Sequence, residues 1–162
     1  MALFTEENLI IPLTTLSADA TSNLECDSFN MGKYGHATIV IIPSASITGD
    51  NVLTVECGAT DSADTSDATF HYRLASAAIG SANCDVLAAD ATASSLTLTA
   101  ATYQGKMLVL ELDREELPTS GETVYPWVTV DFDGTASTST VAVIAILSNP
   151  RYAEAVMDTA LA

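Results

Sequence analysis

Basic residues are scarce in this chain. Five Lys and Arg face 21 Asp and Glu, a formal net charge of −16 over 162 residues. Nucleic-acid binding depends on Lys and Arg displacing counterions from phosphates, so the balance argues against it. It argues equally against an anionic membrane surface, which attracts polybasic segments. Charge of either sign is thin: 16% of residues are charged, against ~25% in ordinary soluble domains. Histidine occurs only at positions 36 and 71, and cysteine only at 26, 57 and 84, without a CxxC spacing. Such cysteines read as reduced, buried thiols rather than a disulfide framework or a metal site. A cysteine nucleophile would need a base held beside it. Long apolar runs are missing: the longest, such as 141–147, fall far short of the ~18 residues that span a bilayer. The start, Met1-Ala-Leu-Phe-Thr-Glu6-Glu7, has neither the basic region nor the apolar region of a secretory signal, so the expectation is assembly in a cytoplasm. There is no Walker loop, GxGxxG, GxSxG or HExxH, and no repeat of 20–50 residues. Neither an enzyme nor a bound metal or cofactor is expected.

What is present is small and apolar. Ser, Thr and Ala make up more than a third of the chain, and 48% of residues are apolar. A chain of this length buries roughly 70% of the surface its unfolded form exposes, enough for one core without staples.

Short β-type runs separated by turn signals fill most of the sequence. They cover 26–31, 37–42, 51–57, 69–75, 95–100, 106–113, 124–132 and 138–147. Turns are expected at Gly49-Asp50, Gln104-Gly105, Pro118 to Gly121 and Asp133-Gly134. About eight strands without a long helix between them predict an all-β, antiparallel β-sandwich, jelly-roll or immunoglobulin-like. Most runs alternate: Leu53, Val55 and Cys57 oppose Thr54 and Glu56; Phe70, Tyr72 and Leu74 oppose His71 and Arg73; Val128, Val130 and Phe132 oppose Trp127, Thr129 and Asp131. Alternation of this kind marks strands with one face on a core. Two runs break it. Ile39 to Ile42 and Val141 to Leu147 are apolar on both faces, so their outer residues, Val40, Ile42, Ala142, Ile144 and Ile146, need a cover. Either another part of the chain or a neighbouring subunit supplies it, since large exposed apolar patches are rare on monomers.

The two ends differ from the centre. Residues 1–25 hold Leu9-Ile10-Ile11-Pro12-Leu13 and then a polar tract, and Pro12 disfavours a helix there. An extended N-terminal arm with a sticky centre and a first strand of the core are both open readings; the domain expectation is an arm over 1–25, a sandwich over 26–149 and a tail over 150–162. Tyr152 to Leu161 has the composition of a short helix, with Ala155, Val156 and Ala160 as docking positions.

Two candidate sites are weaker. The loop Asp61-Ser-Ala-Asp64-Thr-Ser-Asp67 offers carboxylates to Ca²⁺, but its spacing of three matches no EF-hand, and a solvated acidic loop explains it. Asp131 and Asp133 are two further carboxylates on one strand face, and Asp133-Gly134 is explained by a turn. Trp127 and Tyr125 share a strand face suited to stacking on a sugar or to packing.

In general pattern the chain resembles the small head-decoration, or cement, proteins of tailed bacteriophages. The likeness lies in Leu9-Ile10-Ile11-Pro12, in Met31-Gly32-Lys33-Tyr34-Gly35-His36-Ala37 before an apolar strand, and in Phe70-His71-Tyr72-Arg73. It continues in the segment from Tyr103-Gln-Gly-Lys106 onward and in Val141 to Leu147 followed by Ser-Asn-Pro150-Arg151-Tyr152. The resemblance implies a sandwich, often trimeric, on the outer capsid lattice, clamping neighbouring capsomers, with no catalytic residues. Its implied partners are the major capsid protein and further copies of itself, and its implied location is the capsid exterior. The candidate partner-binding residues are Leu3, Phe4, Leu9, Ile10, Ile11, Pro12, Val40, Ile42, Ile144, Ile146, Arg151 and Tyr152. A carbohydrate-binding or fibre-associated sandwich, and a tail-tube or neck subunit, are the alternatives.

Overall fold

The apolar alternation builds two antiparallel sheets packed face to face. A computed structural model describes residues 3–62, 64–135, 138–151 and 159–161. The strands are β1 (Leu9–Pro12), β2 (Ala18–Asp19), β3 (Leu24–Glu25), β4 (Phe29–Asn30), β5 (Tyr34–Pro43), β6 (Asp50–Gly58), β7 (Ser66–Asp67) and β8 (Phe70–Leu74). After them come β9 (Ala91–Ala93), β10 (Ser95–Thr99), β11 (Leu108–Asp113), β12 (Thr119–Ser120), β13 (Thr123–Val124), β14 (Trp127–Gly134) and β15 (Thr140–Pro150). Among the described residues helix is confined to single turns, α1 (Phe4–Glu7), α2 (Ala100–Tyr103) and a 3-10 turn at Arg114–Glu116.

One sheet runs β1-β15-β5-β11-β8-β9, with β2 also on β15. The other runs β10-β6-β14-β3, with β4 also on β14 and β7 on β6, and β12 and β13 form a separate two-stranded ribbon. The inner faces carry the residues that alternation assigns to them. Ile39, Ile41, Leu53, Val55, Leu108, Leu110, Val128, Val130, Phe132, Val143 and Leu147 are fully buried, with Phe29 and Phe70 filling the space between the sheets. Two buried polar pairs lie inside: Ser28 Oγ is 2.7 Å from Thr129 Oγ1, and Asn51 Nδ2 donates to Ser139 Oγ at 2.8 Å, while Asn51 Oδ1 is buried without a partner among the described residues.

Three expectations are corrected. The first concerns the expected arm over 1–25, since from Leu9 onward its strands pair within the sandwich. Strand β1 pairs with β15, from Leu9↔Leu147 to Pro12↔Ile144; β2 continues on the same strand and β3 crosses to β14. Ile11 and Leu13 are 3% and 2% exposed and belong to the core. The segment therefore supplies strands β1, β2 and β3 to the sandwich, with α1 preceding them outside the sheets. Pro12 is compatible because β1 is an edge strand, where a missing N–H breaks no ladder. Second, Asp133-Gly134 is no turn. Both residues remain in β14, opposite Val52 and Asn51. Glycine is needed there because a Cβ would stand 2.5 Å from Asn51 Oδ1 and 2.8 Å from the Ala20 carbonyl. Third, 26–31 shortens to β4, since Cys26, Asp27 and Ser28 lie outside any strand. The expected C-terminal helix lies almost wholly outside the described residues. Of its docking positions Ala160 is described and buried, its carbonyl accepting from Asn30 N at 2.8 Å.

The role of β1 is tested by two neighbours that face opposite ways. Ile11→Ala removes a buried side chain and should cost about 2–4 kcal/mol in urea unfolding, whereas Ile10→Ala, on the outer face, should cost under about 1 kcal/mol. Equal, small losses would mean that β1 is not part of the core.

Candidate functional site

The outer face of the β1-β15-β5-β11-β8-β9 sheet is the surface on which the sequence-derived candidates meet. Its cross-strand rows follow from the register. One row is Ile10, Ile146, Thr38, Glu111 and His71; the next is Pro12, Ile144, Val40, Val109 and Arg73. A third sets Ala142 beside Ile42. The half formed by β1, β15 and β5 thus carries Ile10, Pro12, Val40, Ile42, Ala142, Ile144 and Ile146 and no ionisable side chain between them. Ile10 is 47% exposed and the β5 and β15 members are half-buried by their neighbours. Leu3 and Phe4, 61% and 57% exposed, stand on α1 at the corner of this face.

The sequence-derived candidates therefore divide. Ile10, Pro12, Val40, Ile42, Ile144 and Ile146 come together, with Leu3 and Phe4 beside them. Ile11 turns inward, and Leu9, one register step from it on the same side, packs against the core, so neither is presented to a partner. Arg151 is exposed past the end of β15, its N–H bonded to the Lys33 carbonyl at 2.8 Å. Tyr152 lies outside the described residues.

The other half of the same face is charged, which single-strand patterns did not disclose. His36 Nδ1 lies 2.7 Å from Asp113 Oδ1, and His71 Nδ1 lies 2.8 Å from Asp90 Oδ2. Thr38 Oγ1 is 3.3 Å from His36 Nε2. Glu111 stands across from both Thr38 and His71 and separates the two pairs. A hydroxyl, an imidazole and a carboxylate in line is the order of a hydrolytic triad. The residue across from Thr38 on the paired strand β11 is an acid, Glu111, rather than a donor for a developing oxyanion. The hydrogen bond and charge of Asp90 hold the His71 pKa above its usual value.

The opposite outer surface, on β6 and β14, gathers acids. Asp131 stands across from Glu25, and Glu56 across from Asp67. Glu25, Glu56, Asp64 and Asp131 line one hollow of about 290 Å³, while Asp61 lines a separate one with Asp27 and Ser28. The three loop aspartates are thus divided, and no group of three or more His, Cys, Asp or Glu among the described residues has the geometry to hold a metal ion. Partial burial, then neighbouring carboxylates, push both Glu56 and Asp131 upward. Trp127 and Tyr125 are half-buried, with Tyr125 packed on the core. Burial pushes the Cys26 and Cys57 thiols up to about 12, and Cys84 is partly exposed in a loop. Both core cysteines are therefore neutral thiols at physiological pH.

No family model matches this sequence, and no curated protein matches it. Solved structures do. The SPBc2 prophage-derived protein YomS superposes with a TM-score of 0.50 at 12% identity, over 88% of this chain and 94% of that one. The vertex protein P5 of PRD1 gives a TM-score of 0.41 at 13% identity, over 90% and 99%. A structure of infectious bursal disease virus, Gt strain, gives 0.20 at 12% identity, over 88% of this chain and 38% of that one. At such identities the prophage likeness establishes a shared fold.

Two titrations follow. A raised histidine pKa stabilises the fold fully below the unfolded value near 6.5 and is lost as pH rises through the folded value. Asp90→Asn should therefore lower the His71 pKa in an NMR titration and reduce the gain in stability between pH 8 and pH 6; an unmoved His71 would mean that the pair does not form. Raised carboxylate pKa values act in the same sense, favouring the fold at acid pH and burdening it when ionised. Asp131→Asn with Glu56→Gln should raise the Tm at pH 7, with the difference closing below about pH 4.

Proposed function

We propose that this protein is a structural component of a phage virion, a decoration protein that docks on the outer surface of the head. The observation that carries the reading is the apolar patch of Ile10, Pro12, Val40, Ile42, Ala142, Ile144 and Ile146 on the outer face of β1, β15 and β5, on a chain of net charge −16. An apolar sheet face of this kind calls for a covering surface. The fold shared with a prophage-derived protein supports a phage setting. The partner we assign is the major capsid protein. A protein that binds only the assembled lattice stabilises it by mass action, and many copies add many such contributions. The acidic surface on the opposite sheet would then face solvent and, through like charge, discourage adhesion to packaged DNA.

Co-sedimentation with expanded capsids tests the reading. Wild-type protein should pellet with capsids and raise their disruption temperature. Val40→Asp with Ile144→Asp should abolish both effects while leaving the far-UV spectrum intact, because both side chains point away from the core. Wild-type protein that stays in the supernatant would overturn the proposal, and ring-shaped assemblies without capsid affinity would point to a tail-tube or neck subunit.

A further inference from the structure

The exposed apolar residues are placed unevenly. Leu3 and Phe4 project from α1 at one end of the apolar face. At the other end, past Ile42, is a groove of about 610 Å³ walled by Ile42, Ala45, Ala78, Ile79, Ala101 and Gln104. No charged side chain lines it, and Ile79 on its wall is 55% exposed. Three separate loops form these walls, and hydrogen bonds tie them together. Gly105 N donates to the Ser44 carbonyl at 2.9 Å, and Ile79 N to the Gly105 carbonyl at 2.8 Å. Gln104 Nε2 donates to the Ala45 carbonyl. Gly105 takes φ +65°, with Ala45 and Ala78 close by. The groove is thus pre-formed, and filling it costs little ordering.

The projecting end cannot fill its own groove. Leu9 stands in line with Leu147 and Ala37, about 20 Å along β5 from Pro43 at ~3.3 Å per residue. Charge says what can fill it. Directly behind Phe4 are Glu6 and Glu7. Next to the groove residue Gly105 is Lys106, a rare cation in this chain, which has no ion pair among the described residues. An apolar tip followed by two acids therefore meets an apolar groove followed by a base. The net charge of −16 opposes contacts between acidic surfaces of two copies, such as those on β6 and β14.

We infer that the chain associates head to tail with a second copy of itself, the Leu3–Phe4 tip of one copy seated in the Ile42–Gln104 groove of the next. The contact is heterologous: each copy gives a tip at one end and a groove at the other, so the association closes into a ring or continues as a chain. It uses the two ends of the apolar face and leaves Val40, Ile144 and Ile146 between them open to another partner. It does not depend on what that partner is.

Sedimentation velocity on the isolated protein, without capsids, is the test. Wild-type protein should self-associate. Phe4→Ser, which spoils the tip, and Ala101→Trp, which fills the groove, should each weaken association by at least about tenfold, as expected for an anchor and its pocket. Both positions are exposed, and an unchanged far-UV spectrum confirms folding. Mixing the two variants should restore a dimer and nothing larger, because one intact tip and one intact groove remain between them. A monomeric wild type, variants that associate normally, or a mixture that stays monomeric would each overturn the inference. A self-complementary face-to-face dimer through Val40 and Ile144 gives the second of these outcomes, and none of them bears on capsid binding.

Discussion

The pairing of β5 with β15 is the contact from which the rest of the molecule is built. Nine register pairs join them, from Val141↔Pro43 to Pro150↔Tyr34. Their inner residues, Ile39, Ile41, Val143, Ala145 and Leu147, lie at the centre of the core. Strand β1 adds to the free side of β15, and β11 to the free side of β5. Because both strands are apolar on both faces over Ile39–Ile42 and Val141–Leu147, one pairing supplies the core on one side and an apolar patch on the other. Core burial accounts for the first, and the second is the surface on which the proposed docking rests.

The distribution of charge follows the same division. A carboxylate on the β1-β15-β5 face would be stripped of water by any partner, at a cost that only a matched cation repays. Acids are instead placed on the β6 and β14 side, where Glu56 and Asp131 ionise against their neighbours, and on the far half of the first sheet. There Asp113 and Asp90 each take a histidine partner. The molecule thus has one acidic side and one side whose character changes, across three strands, from apolar to mixed charge.

Much of the core could be read from alternation, since Leu53, Val55, Leu108, Leu110, Val128, Val130 and Phe132 all sit where a period of two puts them. The N-terminal strand was less legible. A four-residue apolar run containing proline looks the same whether it lies on an edge or reaches outward, and only its pairing with β15 separates the cases. Ile11 was misassigned for that reason: one step of register decides whether it faces the core or a partner. Asp133-Gly134 misled in another way. The pair is a turn signal locally, but Gly134 is there for the close approach of Asn51 and the Ala20 carbonyl, contacts from distant parts of the chain.

The sequence by itself determined the class of fold, the positions of the long strands and the existence of two strands apolar on both sides, because these depend on local periodicity. It also determined that the surface would be short of cations. Only the tertiary structure decided which strands are neighbours. That decision gathered Ile10, Ile144, Ile146 and Val40 into one face and set His36 against Asp113. It also set Asp61 and Asp64 in different hollows and formed a groove from three separate stretches of chain. Each of these joins residues tens of positions apart, and cross-strand register, which no single segment encodes, is what brings them together.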